Sequence, residues 1–289
     1  MALLIVVFFL LNLKALYAHS VETTSLKISS VFDDNYAVTW GSNHVSFSLQ
    51  GREIRLSMDN TSGSGFGSKA IYSTGFFHLK MKVPNRDSAG VVIYLSSHSN
   101  NHDELDFEFL GNLEGKPYTL QTNVFVNGHG NREQRFHLWF DPTEDFHDYR
   151  ILWNPYQIVA CRFFVDKRPI RIYKNMREAG VEYPSQPMQI IASLWDGDDW
   201  ATDGGKVKTN WTYAPFFAYF RGFNVNGCPV HDSNPQDCYS SKYWWNSNKY
   251  RTLSPPQQKL YQRVRDKYLK YDYCKDRKRF PKPPPECPQ

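Results

Sequence analysis

The chain predicts an all-β fold, a β-sandwich or jelly roll, and three observations carry that reading. Phe77, Leu79, Met81 and Val83 alternate with His78, Lys80 and Lys82, the period of two that a half-buried strand requires. Apolar runs such as Ala89 to Ser96, suited to a strand buried on both faces, are set off by turn signals such as Pro84-Asn-Arg-Asp. No helical period of any length occurs before residue 250. Many short strands with turns between them bury their apolar faces best as two packed layers. The length of 289 residues suits one large β domain with an appendage, expected at 19–223 and 224–289. Aromatics make up 16% of the chain, more than a core alone needs, and suit a long carbohydrate groove as well as a thick core.

Taken in order, the chain begins with an apolar run, Leu3 to Leu13, broken only by Asn12. It is too short to span a bilayer and reads as a signal peptide over 1–18, cleaved between Ala18 and His19. A non-cleaved anchor is the alternative. No other stretch resembles a membrane helix, so no membrane association is expected after cleavage. Asn60-Thr-Ser and Asn210-Trp-Thr are N-glycosylation sequons in a secreted chain. Asn60 to Gly67 reads as a Gly/Ser-rich loop. Ile158 to Val165 reads as a buried strand, which makes Cys161 a free core thiol. The other four cysteines, Cys228, Cys238, Cys274 and Cys287, cluster in the last quarter, and four cysteines allow three pairings.

The tail differs in kind. Pro255-Pro256 can open a helix with Ser254 as its N-cap. Leu260, Val264, Tyr268 and Tyr271 recur at spacings of four, four and three, an amphipathic stripe expected to pack on the sandwich. From Lys249 onward twelve Lys/Arg face four Asp/Glu, a surplus of eight in a chain of net charge +5, so the remainder is about −3. Such a tail can be a solvated helix face, or can bind anionic polymers. Nucleic acid is not expected, because no recognition motif accompanies the charge.

The stretch with chemistry in it is His102 to Gly111, H-D-E-L-D-F-E-F-L-G. On a strand, successive side chains point to opposite faces. His102, Glu104, Asp106 and Glu108 then share one face, while Leu105, Phe107 and Phe109 share the other with Asp103. Crowding three acids costs electrostatic energy and helps no fold. Retaining glycoside hydrolysis gives a reason for that cost, since it needs a carboxylate nucleophile and a carboxylic acid close together. Positions 104 and 108 are roughly 13 Å apart at Cα on a regular strand, a gap that long side chains and a curved sheet can close. Asp106 lies between them and can hydrogen-bond a neighbour, fixing its rotamer. Spacing alone does not separate the retaining from the wider inverting gap, and it also fits a calcium site or a solvated acidic edge.

This stretch closely resembles the active-site strand of the plant xyloglucan endotransglucosylase/hydrolases, in family sixteen of the glycoside hydrolases. The family's usual form has Ile where this chain has Leu105. The resemblance runs from about Phe32 to Cys287 and includes Q-T-N at Gln121–Asn123, G-N-R-E at Gly130–Glu133, L-W-F-D-P at Leu138–Pro142 and W-D-G-D-D-W-A-T-D-G-G-K at Trp195–Lys206. It implies a curved jelly-roll sandwich with the active-site strand on its concave face, and disulfides Cys228–Cys238 and Cys274–Cys287. It implies Glu104 as nucleophile, Glu108 as acid/base and Asp106 as their helper. Substrate contacts carried over are Glu108, Gln121, Thr122, Asn123, Asn131, Arg132, Glu133, Trp200, Ala201, Gly205 and Arg279, with Tyr94, His102 and Trp195 as further candidates. Two departures stand out. Asn112-Leu-Glu fails the sequon that many relatives carry here, and Asp203 stands where relatives commonly have Arg.

The resemblance implies a secreted, cell-wall (apoplastic) enzyme that cleaves the β-1,4-glucan backbone of xyloglucan and transfers it to another xyloglucan chain or an oligosaccharide acceptor. It is expected to act as a monomer without metal or organic cofactor. The loop Val126-Asn-Gly-His-Gly-Asn-Arg-Glu is short, whereas mainly hydrolytic members carry a longer one, so transfer is expected to outrun hydrolysis. A mainly hydrolytic enzyme on xyloglucan or another β-glucan is the alternative. A carbohydrate-binding lectin on the same sandwich is a further one, although such sandwiches need no paired acids.

Overall fold

The computed structural model describes residues 30–96, 102–154, 161–230 and 235–287. The signal-peptide segment 1–18 lies outside the described residues. Fifteen strands occur among them, all paired antiparallel in one continuous network that folds into two layers. The front layer contains β1 (Tyr36–Trp40), the start of β4 (Ser64–Lys82), β5 (Val91–Ser96), β6 (Glu104–Leu110), β7 (Thr119–Phe125), β8 (Gln134–His137), β12 (Met188–Asp196) and β15 (Leu269–Asp272). Its order is β1-β4-β12-β5-β6-β7-β8-β15. Strand β4 then crosses to the back layer, where its later residues pair with β9 (His147–Trp153), β13 (Phe216–Arg221) and β14 (Asn226–Pro229). Strands β2 (Val45–Ser48), β3 (Glu53–Met58), β10 (Cys161–Val165) and β11 (Arg168–Tyr173) complete the back layer.

Aromatic rings fill the space between the layers. Phe107 of β6 lies edge-on to Tyr149 of β9 at 5.8 Å and to Phe163 of β10 at 5.3 Å. Phe109 meets Tyr149 at 4.7 Å. Such edge-to-face pairs add to area burial by about 0.5–1.5 kcal/mol each. Cys161 is buried here as a free thiol, with Sγ 3.0 Å from the Tyr183 hydroxyl, and burial pushes its pKa up, out of the reactive range.

Two readings of the sequence change. Ser64 to Gly67 is not loop but the start of β4, paired on one side with β1 and on the other with β12. The glycines that suggested a loop are there because backbone and side chains approach closely. A Cβ on Gly63 would lie 2.1 Å from the Leu194 carbonyl oxygen, and one on Gly65 would lie 2.3 Å from Trp40 Nε1. The tail helix α2 (Pro255–Tyr268) opens at Pro255-Pro256 as expected, with Ser254 N–H donating to Gln257 Oε1 at 3.0 Å. (The short α1 is Phe32–Asn35.) Helix α2 packs on β11 and buries Val264. Leu260, however, is 37% exposed, and Tyr271 leaves the helix to join β15, because the chain there extends along the free edge of β8.

That added strand is locked in place. Arg265 Nη2 binds Asp272 Oδ2 at 2.5 Å, its Nη1 donates to Gln134 Oε1 at 3.0 Å, and Gln134 Nε2 returns to Asp272 Oδ1 at 3.1 Å. The disulfides are Cys228–Cys238 and Cys274–Cys287. The first sits in a satellite core with Leu152, Phe164 and Trp245. Both sequon asparagines, Asn60 and Asn210, are exposed.

The close approach at Gly63 yields a stability test. Gly63→Ala should lower the unfolding free energy by about 1–3 kcal/mol, because backbone must move to admit the methyl group. Urea denaturation monitored by circular dichroism measures the loss, and an unchanged midpoint would contradict it.

Candidate active site

Strand β6 is hydrogen-bonded on both sides, to β5 and β7, which makes it a central strand with no free edge. Its alternation is the one the sequence implies. Leu105, Phe107 and Phe109 face the core, and Glu104, Asp106 and Glu108 share the other face. All three acids are buried, at 8%, 0% and 9% exposure. They are mostly desolvated on the outer face of a central strand of the front layer, not on an acidic edge. Among the described residues, no group of three His, Cys, Asp or Glu side chains is arranged to hold a metal ion.

Glu108 has the most informative surroundings. Gln121, directly opposite on β7, donates its Nε2 to Glu108 Oε2, and Gln121 Oε1 accepts from Arg135 Nε of β8 at 2.7 Å. Burial pushes the Glu108 pKa from its ordinary 4.5 up to about 7. The negative charges of Glu133 and Glu104 push in the same direction, while the Gln121 hydrogen bond and the Arg135 charge oppose it. Near neutral pH this carboxyl therefore exists in both forms, as a group that gives and takes a proton must. At the other end of the strand, His102 Nε2 contacts Glu104 Oε1, and the His102 ring stacks on Phe125 at 6.2 Å.

Asp103 holds the neighbouring segments. Its carboxylate accepts from the backbone N–H of Asn127 at 2.9 Å, Ser185 at 2.6 Å and Gln186 at 2.8 Å. It thus pins the turn beyond β7. That turn is tight, because Val126 and His129 exchange backbone hydrogen bonds of 3.1 and 2.9 Å around Asn127-Gly128. Both turn residues have positive φ, 51° and 78°, the conformation that Asn-Gly hairpin turns favour.

Comparison with known proteins places the chain in a family. Residues 32–213 match the glycosyl hydrolases family 16, and residues 239–287 match the xyloglucan endo-transglycosylase C-terminus. The chain is 58% identical to xyloglucan endotransglucosylase/hydrolase protein 2 of Arabidopsis thaliana over 260 residues, 89% of this chain and 88% of the relative. It is 56% identical to protein 3 of the same plant, also over 260 residues, with the same coverage of both chains. The chain belongs to the xyloglucan endotransglucosylase/hydrolases of glycosyl hydrolase family 16. Solved structures show the shared jelly-roll fold. A Crh5 transglycosylase in complex with NAG superposes with a TM-score of 0.55 at 24% identity, over 70% of this chain and 80% of that one. The Bacillus licheniformis β-glucanase gives 0.53 at 24%, over 68% and 92%.

In this family member the sequence-derived contacts separate into groups. Gln121 lies on the acidic face. Asn123 sits opposite Asp106, with its Oδ1 accepting from Val124 N at 2.9 Å and Arg132 N at 3.1 Å. Tyr94 is placed by its backbone pairing with Glu108. Trp195 and Ala201 pack with Leu110 at the end of β6, and the Trp200 ring lies 6.2 Å from that of Trp195 and is 38% exposed. Gly205 has φ of +84°, and a Cβ there would meet Asp199 O at 2.0 Å, so it serves the turn. The unusual Asp203 sits in the same turn, exposed, with φ of 51°.

Two expected contacts point elsewhere. Thr122 faces the core, opposite Phe107, because it alternates with Gln121 and Asn123. It is fully buried, and its hydroxyl and carbonyl both accept from the buried Arg171, at 3.0 and 2.7 Å. The Arg132 side chain turns to the tail, binding Glu286 at 2.8 Å and the His129 carbonyl at 2.6 Å.

The tail reaches the site. Arg279 Nη1 binds Glu133 Oε2 at 2.7 Å, its Nη2 reaches Glu133 Oε1 at 3.2 Å, and Nη2 also donates to Asn131 Oδ1. Two residues of this wall escaped sequence reasoning. Arg135 carries the hydrogen bond to Gln121, and its guanidinium lies 5.2 Å from the Tyr271 ring of β15. The signal available for Arg135 was its place two residues after Glu133, itself a carried-over contact. Tyr271 had been absorbed into a helical stripe.

The raised Glu108 pKa has a stability consequence. A carboxyl whose folded pKa lies above its unfolded value favours folding fully below pH 4.5 and loses that contribution as pH rises through about 7. Wild type should therefore lose on the order of 3 kcal/mol from this group across that window. Glu108→Gln, which cannot ionise, should flatten that part of the profile and be the more stable protein at pH 8. Urea midpoints at pH 5 and pH 8 test this, and parallel profiles for the two proteins would refute the assignment.

Proposed function

We propose that this chain is a xyloglucan endotransglucosylase that acts in the cell wall by a retaining, two-step mechanism. The observation that carries the proposal is the pairing on one strand face of Glu108, pushed up to about pH 7, with Glu104 held by His102. In the first step the Glu104 carboxylate attacks the anomeric carbon of a backbone glucosyl unit. The glycosidic C–O bond breaks as Glu108 gives its proton to the departing oxygen. In the second step Glu108 takes the proton of an acceptor hydroxyl, whose oxygen displaces Glu104 and restores the original anomeric configuration. Asp106, buried between the two, keeps Glu104 oriented.

Water competes with the sugar acceptor in the second step, so transfer requires an acceptor held in line with Glu108. Positioning of that kind is worth roughly 7–11 kcal/mol in effective concentration. The tight Asn127-Gly128 turn and the wall formed by Arg135, Tyr271, Glu133 and Arg279 support such an acceptor side. Relatives bearing the name xyloglucan endotransglucosylase/hydrolase support the substrate. Secretion rests on the apolar N-terminal run and the two disulfides. A monomer, with free tail cations held against anionic wall polymers, completes the proposal, and the exposed Lys275 and Lys278 suit that contact.

Incubation with xyloglucan and a labelled oligosaccharide acceptor measures both reactions at once. Label incorporation should exceed the appearance of new reducing ends at saturating acceptor. Equal or faster hydrolysis would overturn the transfer assignment. Glu104→Ala should lose roughly 10⁴-fold or more of turnover while keeping its fold. Substantial residual turnover in that variant would overturn the nucleophile assignment.

A further inference from the structure

The backbone register draws a single line across the whole front layer. Residues directly opposed in antiparallel strands share a face. Starting at Glu108, the line runs one way through Gln121 and Arg135 to Tyr271. The other way it runs through Tyr94 and Ser193 to Gly65 and Trp40. Trp40 is thus on the same face as the carboxylates, four strands from Glu108. At the usual strand spacing that is roughly 19 Å.

Trp40 is seated there by specific devices. Its Nε1 donates to Ser193 Oγ at 3.4 Å, which ties the indole to the row. A Cβ on Gly65 would lie 2.3 Å from Nε1, and a Cβ on Gly63 would lie 2.9 Å from Cη2 at the far end of the ring system. The indole therefore lies along bare backbone, with both ends over glycines. One face is covered, yet the residue remains 39% exposed. A large apolar ring left open on the face that carries the carboxylates exposes surface that a folded chain otherwise buries. The faces of a β-linked glucosyl ring present axial C–H groups, which match the face of an aromatic ring, and aromatic walls are the usual apolar lining of ligand sites.

We propose that Trp40 is a distal stacking position of the cleft, on which a glucosyl ring of the β-1,4-glucan backbone rests several units from the bond cleaved. The proposal rests on the function stated above, which places the acceptor at the Arg135–Tyr271 end, so Trp40 stands at the donor end. Each glucosyl unit of an extended β-1,4 chain spans about one strand spacing. Only donors with about four backbone units on that side can reach the indole. Trp40 then selects for long donors and contributes little to the bond-breaking step itself.

The test is a donor-length series. Wild type, Trp40→Ala and Trp40→Phe are compared on polymeric xyloglucan and on a short xylogluco-oligosaccharide donor, after melting curves show that each is folded. The ratio of kcat/KM for polymer over short donor should fall by about tenfold in Trp40→Ala, mostly through KM, and recover in part in Trp40→Phe. An unchanged ratio, or an equal loss on both donors, would mean that Trp40 only fills the space over Gly63 and Gly65, and the proposal would fall. If wild type fails on xyloglucan but turns over another β-1,4-containing glucan, with the length-dependent loss intact, the substrate reading falls and the stacking position stands.

Discussion

Three carboxyls can be held together on one strand face only if the other face is anchored firmly enough to offset their mutual repulsion and desolvation. In this chain the anchor is aromatic. Phe107 and Phe109 alternate with the acids and lock against Tyr149 and Phe163 of the facing layer. Because β6 is paired on both sides, the strand cannot twist the acids out toward water. The same burial that makes the arrangement costly sets the chemistry. A carboxyl with water removed from it holds its proton to a higher pH, which is the change an acid catalyst near neutrality needs.

The tail belongs to this electrostatic arrangement rather than hanging beside it. Glu133 raises the Glu108 pKa, and Arg279, from the loop closed by Cys274–Cys287, binds Glu133 with both guanidinium nitrogens. Arg135, steadied over the Tyr271 ring of the added strand and hydrogen-bonded to Gln121, opposes the rise with its charge. Strand β15 and the Arg265–Asp272–Gln134 lock therefore fix two charges of opposite effect on one carboxyl. A C-terminal segment that only capped the sandwich would have no need of them.

The sequence made some of this legible and hid the rest for physical reasons. The period of two over His102–Gly111 is strong because one face is apolar and the other ionic, so the strand and the shared face of Glu104, Asp106 and Glu108 could be read directly. Ser64–Gly67 was misread because glycine signals both a loop and a close approach, and only the packing of Trp40 against Gly65 separates the two. Tyr271 sat at helical spacing from Tyr268, and nothing local reveals that the chain straightens there to pair with β8. Thr122 was drawn in with its neighbours Gln121 and Asn123, although the alternation that put those two on the acidic face excludes it. Relations across strands are the ones a linear reading misses. The row from Trp40 to Tyr271 joins residues from both ends of the described chain.

On the proposed mechanism, the shift at Glu108 also serves both halves of the reaction. Part of the rise comes from the negative charge of Glu104. When Glu104 becomes an ester of the sugar, that charge is gone, and with it one of the reasons for Glu108 to keep a proton. The group has just given its proton to the leaving oxygen, and its affinity for another falls at that moment. That change favours the ionised form, the form that takes the acceptor's proton. As the acceptor displaces Glu104, the carboxylate reappears and the pKa of Glu108 rises again, which draws the transferred proton onto it. A pair of acids coupled through space along one strand can thus assist each proton transfer in turn, provided that water stays away from the space between them.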